Sequence, residues 1–167
     1  MSVRHKCFIS YHKDDQRAVD QFCDNFSGTF IKRGITMEED IIDSNNTDYV
    51  MRRIRELYLQ DSTVTIVLIG KCTWARRFVD WEVQASLRNP MNGYPNGVVA
   101  IQLWESYKRL PNRVTLNVES GYSKFYKYPN SNSALESIVE EAWNARFDKQ
   151  NLIVNPKDRY LYNKSCE

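Results

Sequence analysis

Two uncharged runs constrain this chain more than anything else in it: TVTIVLIG at 63–70 and GVVAIQLW at 97–104. Both are rich in β-branched residues, which suit a pleated strand. Neither alternates apolar with polar positions, so each reads as a strand buried on both faces. Between them lies a segment with the apolar period of a helix. Strands alternating with amphipathic helices are βαβ units, and βαβ units build a parallel sheet covered on both sides.

KCFISY at Lys6–Tyr11 reads as a further buried strand, and IKRGITM at 31–37 as a weaker one. The expected strands are near 6–11, 64–70 and 98–104, and the expected helices near 14–27, 47–60, 74–88 and 133–147. Asp14 and Asp15 suit the positive end of the first helix, whose stripe is Val19, Phe22, Cys23 and Phe26. The cluster Asp43-Ser44-Asn45-Asn46 can cap the second, and Val50, Ile54, Leu57 and Tyr58 face inward. Asn89-Pro90 stops the third. The fourth carries Leu135, Ile138, Val139 and Ala142, with Ser133 as cap and Glu136 in the capping-box position. Residues 105–132 read as irregular, broken by Pro111, Gly121 and Pro129. The expectation is one α/β domain over 1–150, an open parallel sheet with helices on both faces. A polar tail over 151–167 is expected to pack on it or trail from it, loosely attached.

At 167 residues there is room for one such domain. Lys plus Arg is 23 and Asp plus Glu 21, a net charge of +2. Binding by phosphate neutralisation uses a larger basic excess, so no nucleic-acid partner is expected. No apolar run approaches the roughly 18–20 residues that span a bilayer, and the N-terminal apolar stretch is too short for a signal peptide. No membrane partner is expected. The four cysteines (Cys7, Cys23, Cys72, Cys166) show no CxxC pair and no zinc spacing, and two read as small core residues. The expectation is a cytoplasmic, reduced protein with no metal.

Ligands of such sheets bind beyond the carboxyl ends of the strands. That points to Ser10-Tyr11-His12-Lys13, Gly70-Lys71-Cys72-Thr73 and Trp104-Glu105. Gly70-Lys71 is no phosphate-wrapping P-loop, because Thr65 stands where its first glycine belongs. Asp14-Asp15 form no phosphoacceptor pocket, since the central strand ends in Gly70-Lys71 rather than Asp. The first loop offers only Ser10 as a hydroxyl for a flavin phosphate.

Glu82 stands out. At about 100° per residue, Trp74, Phe78, Trp81 and Ala85 form one apolar arc, extended by Ala75, Val79 and Val83. Glu82 falls inside it, while Arg76, Arg77, Asp80, Gln84 and Arg88 take the opposite, solvated side. An unpaired carboxylate on a core-facing stripe costs several kcal/mol unless it is bonded or opens into a cavity. Glu82 is therefore either tied to a core cation, at the edge of the stripe, or lining a pocket with a raised pKa. His12 lies on the ligand-binding side and reads either as a surface histidine or as a binding group. Trp74 and Trp81 read as core.

CFISYHKDD resembles the first strand and loop of TIR-type domains, which commonly read F-I-S-Y or F-V-S-Y before a charged residue and Asp. The block KCTWARRFVDWEV resembles the third-helix block of NAD-cleaving TIR domains. Phe78-Val79 stand where Trp-Cys is usual, and Glu82 falls on the catalytic Glu. Closer still is the likeness to the TIR-like (ThsB-like) proteins of the bacterial Thoeris anti-phage defence system. Those show F-S-F/Y-H and then V-L-I-G, followed by T-F/W-x-R-R-F/W-V-x-W/Y-E-I/V. Here the counterparts are Phe8-Ile9-Ser10-Tyr11-His12, Val67–Gly70 and Thr73–Val83, within a likeness that covers residues 4–104.

The resemblance implies a TIR/flavodoxin-like fold and an NAD glycohydrolase or ADP-ribosyl cyclase, with NAD as substrate and no cofactor. Glu82 would be the catalytic residue, stabilising the positive charge that develops on the ribose as nicotinamide leaves. Nicotinamide leaves without a general acid. Ser10, Tyr11, His12 and Phe78 would bind the substrate, and an apolar wall would favour a hydroxyl over water as nucleophile. The implied product is a cyclic ADP-ribose-type nucleotide or an ADP-ribose conjugate. It would act on a downstream effector after a phage-derived trigger, with self-association possible. The competing readings are a non-catalytic TIR-like adaptor acting by self-association and a nucleoside deoxyribosyltransferase-like enzyme, whose motifs do not match the 67–83 block.

Overall fold

The burial of alternate strand residues toward opposite faces sets the layers. The computed structural model describes residues 3–37, 42–90, 93–103 and 109–166. The strands are β1 (Lys6–Ser10), β2 (Ile31–Lys32), β3 (Val64–Ile69), β4 (Gly97–Gln102) and β5 (Lys124–Tyr126). They form one five-stranded sheet, β2-β1-β3-β4-β5, parallel throughout. This is the flavodoxin-like order, whose switch point lies between β1 and β3.

Cys7, Ile9, Ile66 and Leu68 face α1 (Gln16–Asn25) and α5 (Asn132–Asp148). Phe8 turns the other way, toward α2 (Thr47–Ile54), and Val67 and Ile69 pack with α3 (Arg77–Leu87) and α4 (Asn112–Ser120). All six residues of β3 are buried, as an uncharged central strand requires. At Gly97 a Cβ would stand 2.0 Å from the Ala142 carbonyl oxygen, so α5 rests directly on the start of β4.

Several local expectations are corrected. The second strand has two residues rather than 31–37, because the chain turns away at Gly34 (φ 86), where a Cβ would meet Tyr58's carbonyl oxygen at 2.1 Å. The 47–60 helix is α-helical to Ile54, then widens into a π-turn over Arg55–Leu59 that ends at Gln60 (φ 53). Asn46 does cap it, its side chain accepting the Tyr49 N–H. Ser131, not Ser133, caps α5 by accepting the Ala134 N–H. Residues 105–132 hold α4 and β5: Pro111 immediately precedes the first turn of α4, and Gly121 (φ 92) caps its C-terminus. Trp104 and Glu105 lie outside the described residues.

The 74–88 helix is interrupted. Thr73–Ala75 is a 3-10 turn, Arg76 is extended (φ −96, ψ 124), and α3 begins at Arg77. Moreover, α3 has no solvated side: every residue from Val79 to Leu87 is buried. The C-terminal tail covers it and is firmly attached. Arg113 pairs with Asp80 at 3.0 Å and donates to Asn155 Oδ1 and to the carbonyls of Pro156 and Asp158. Trp81 Nε1 donates to the Tyr160 carbonyl, Tyr160 N–H to Asp80, and Lys164 N–H to the Ala75 carbonyl. A Cys72–Cys166 disulfide closes the strap, correcting the expectation of reduced cysteines, while Cys7 is a free core residue and Cys23 packs partly buried against the core. Among the described residues no helix is long and apolar enough to cross a membrane.

Candidate functional site

α3 reaches Glu82 between two packing stripes. Val79, Val83 and Leu87 lie on the sheet, whereas Phe78, Trp81 and Ala85 lie toward α2. Glu82 occupies the crease and meets the last residue of β1, at the switch point. Ser10 Oγ donates to Glu82 Oε1 at 2.8 Å, and the Met37 N–H donates to Oε2 at 3.1 Å. The side chain is 0% exposed. No cation bonds to it among the described residues, it is not at the edge of the stripe, and it does not itself line the neighbouring cleft, so the expectation that it opens into a pocket is not met in this structure. Burial raises its pKa from 4.5 to about 8, against the pull of the two hydrogen bonds. At neutral pH this carboxyl is mostly the neutral acid.

A small cleft of about 40 Å³ lies beside it, lined by Tyr11, His12, Lys13, Gln16, Thr36, Met37, Arg76, Phe78 and Val79. Met37 belongs to both places: it lines the cleft, and its backbone N–H holds Glu82. Glu82 and Ser10 therefore sit behind the cleft, while Tyr11, His12 and Phe78 form its wall. Tyr11 Oη donates to Gln16 at 2.6 Å. His12 Nε2 lies 3.2 Å from Asp14 Oδ2, and burial, then Arg76, lower its pKa, so the ring is neutral at pH 7. Phe78 meets Trp81 edge-on at 6.0 Å. Trp74 is core but off α3, under the Arg109 guanidinium at 4.0 Å.

Four cleft residues were not legible as such. Arg76 looks solvated if 74–88 is drawn as one helix; the break at Arg76 swings it into the cleft. Thr36 and Met37 belong to the segment that leaves the sheet at Gly34, where strand periodicity stops applying. Gln16 is an exposed polar residue at the start of α1, with no pattern to mark it. Among the described residues no group of three or more His, Cys, Asp or Glu side chains could hold a metal ion.

No curated protein matches the chain. A family model described as Thoeris protein ThsB, TIR-like domain, matches residues 8–108. That span is more than half of the chain and runs from β1 past β4, including Glu82 and every cleft residue. With the all-parallel sheet, this match shows that the chain belongs to the ThsB TIR-like family of the Thoeris defence system.

Proposed function

We propose that the chain cleaves NAD, releasing nicotinamide and making a cyclic ADP-ribose-type nucleotide, or another ADP-ribose conjugate, that signals to a downstream effector during phage defence. The observation that carries this reading is Glu82: a carboxyl at the sheet's switch point, 0% exposed, with two hydrogen bonds and no cation. A helix packed only for stability has no use for a buried group that must stay protonated to be tolerated. A site that develops positive charge does.

Cleavage breaks the bond between ribose C1 and the nicotinamide nitrogen, and the bonding pair leaves with nicotinamide, which becomes neutral. The remaining ribosyl cation is stabilised by the ionised Glu82 beside it. Attack by a hydroxyl of the same nucleotide, with loss of its proton, closes a cyclic product; attack by water gives ADP-ribose. Tyr11 and Phe78 supply the wall that holds water out. Substrate reaches Glu82 once Met37 moves aside. The cationic nicotinamide ring then draws the carboxyl toward its ionised form, so binding and proton release are coupled.

That Glu82 does not itself line the cleft favours the competing reading, a TIR-like adaptor acting by self-association. Mass analysis of NAD incubations and of lysates from infected cells separates the two. A species of the mass of ADP-ribose less one water, absent with Glu82→Gln, supports the cyclase. ADP-ribose and nicotinamide alone reduce the protein to a glycohydrolase, and no NAD-derived product leaves the adaptor.

A further inference from the structure

The cleft in front of Glu82 carries two polar groups that the fold leaves unused. The Arg76 guanidinium is half-buried, and no hydrogen bond or ion pair engages it among the described residues. Two other arginines that meet α3 are held by the fold: buried Arg113 by Asp80 and the tail, and Arg159 by Thr47 and the Ser44 carbonyl. The second group is His12, which is 8% exposed, lines the same cleft and buries an Nδ1 with no partner. Lys13 also lines the cleft, and among the described residues no carboxylate does. Asp14, 3.2 Å from His12, points largely to solvent at 77% exposure, and Asp15 also acts on the ring. A half-buried cation and an imidazole with one buried, unpartnered nitrogen in one cleft are costly unless a ligand satisfies them.

We propose that Arg76, with Lys13 and with a His12 that takes up a proton as the ligand binds, holds the phosphates of the substrate, so that the cleft is the diphosphate subsite of the pocket whose ribose end is Glu82. This deepens the NAD reading and rests on it for the identity of the substrate. The placement fits. Glu82 lies one helical turn beyond Phe78, behind the cleft, and a dinucleotide joins its ribose to its phosphates by one methylene. Two cations face two phosphate charges. Arg76 offers the planar fork that grips phosphate in two places, and Lys13 offers a point charge. Arg76 is fixed by the break between the 3-10 turn and α3, which aims it forward instead of along the helix surface.

Titration with inorganic pyrophosphate, read by NMR of the histidine rings, tests this without turnover. The chain has two histidines, and His5, bonded to Glu140, serves as the internal control. The expected result is a saturable shift of His12 with His5 unmoved. Arg76→Ala should weaken binding by about tenfold or more, as loss of a charge-assisted bond does, and Arg76→Lys by less. Arg76→Ala should also raise KM for NAD by a similar factor with kcat little changed. An unmoved His12 signal, or equal pyrophosphate affinity in Arg76→Ala whose His5 signal shows it folded, overturns the subsite. Arg76-dependent pyrophosphate binding without NAD cleavage by the wild type in infected-cell lysate instead leaves the subsite standing and overturns the NAD reading.

Discussion

Replacing Glu82 with Gln should make the protein more stable, and by an amount that depends on pH. In the folded chain the Glu82 carboxyl titrates at about 8, against 4.5 for an ordinary glutamate. Between those values the folded state keeps a proton that the unfolded state has released. Wild-type stability therefore falls as pH rises through this window and levels off above it. At about 1.4 kcal/mol per pH unit, the full loss is about 5 kcal/mol, and at pH 7 it is about 3 kcal/mol. Glutamine has nearly the same volume and no proton to lose. Its oxygen can accept the Met37 N–H, and its amide can donate to Ser10 Oγ, because a hydroxyl serves as donor or acceptor. The assay is urea unfolding at half-unit steps from pH 4.5 to 8.5, followed by tryptophan fluorescence. The two proteins should agree within about 1 kcal/mol at pH 4.5 and diverge to about 5 kcal/mol by pH 8.5. Groups that both proteins share cancel in the difference. Two parallel curves would refute the reasoning, since they would mean that the buried carboxyl ionises as easily as one in water.

The same pKa sets the pH dependence of turnover: kcat/KM for NAD should rise with pH, pass half its maximum near pH 8 and level above that, because in the proposed reaction the ionised carboxyl is the working form; a fall over that range, measured by nicotinamide release, would contradict the assignment. Arg113→Met should destabilise the fold by about 3–5 kcal/mol, because it strands buried Asp80 and frees three tail contacts; the urea midpoint reads this, and a loss under about 1 kcal/mol would show that the strap does not depend on Arg113. Cys166→Ser should cost about 2–4 kcal/mol, since the Cys72–Cys166 bridge spans 94 residues; peptide mapping without reductant should find the crosslink in the wild type, and its absence would refute this.

The central strands β3 and β4 were legible in the sequence because burial on both faces removes every charge, and an uncharged run has few other readings; the short edge strand β5, which begins at Lys124, read as irregular. Glu82 was legible for the complementary reason, as a charge where periodicity allows none. What covers α3 was not. Periodicity reports which side of a helix is apolar, but it cannot report that a polar side is covered by polar partners brought from far along the chain. Asp80 and Gln84 look solvated and are buried, because Arg113 on α4 and the backbone of residues 156–160 meet them. The comparison of Asp80 with Glu82 sharpens what a buried carboxylate means. They lie two residues apart on one helix and are 4% and 0% exposed. Asp80 has an arginine at 3.0 Å and a backbone N–H, so its charge is balanced within the fold and its work is to hold the tail. Glu82 has a hydroxyl and a backbone N–H and, among the described residues, no cation. Burial alone would assign the two residues the same role. Burial without compensation separates them: the fold itself answers Asp80, whereas no described cation answers Glu82, and that difference is what the proposed NAD-cleaving role rests on.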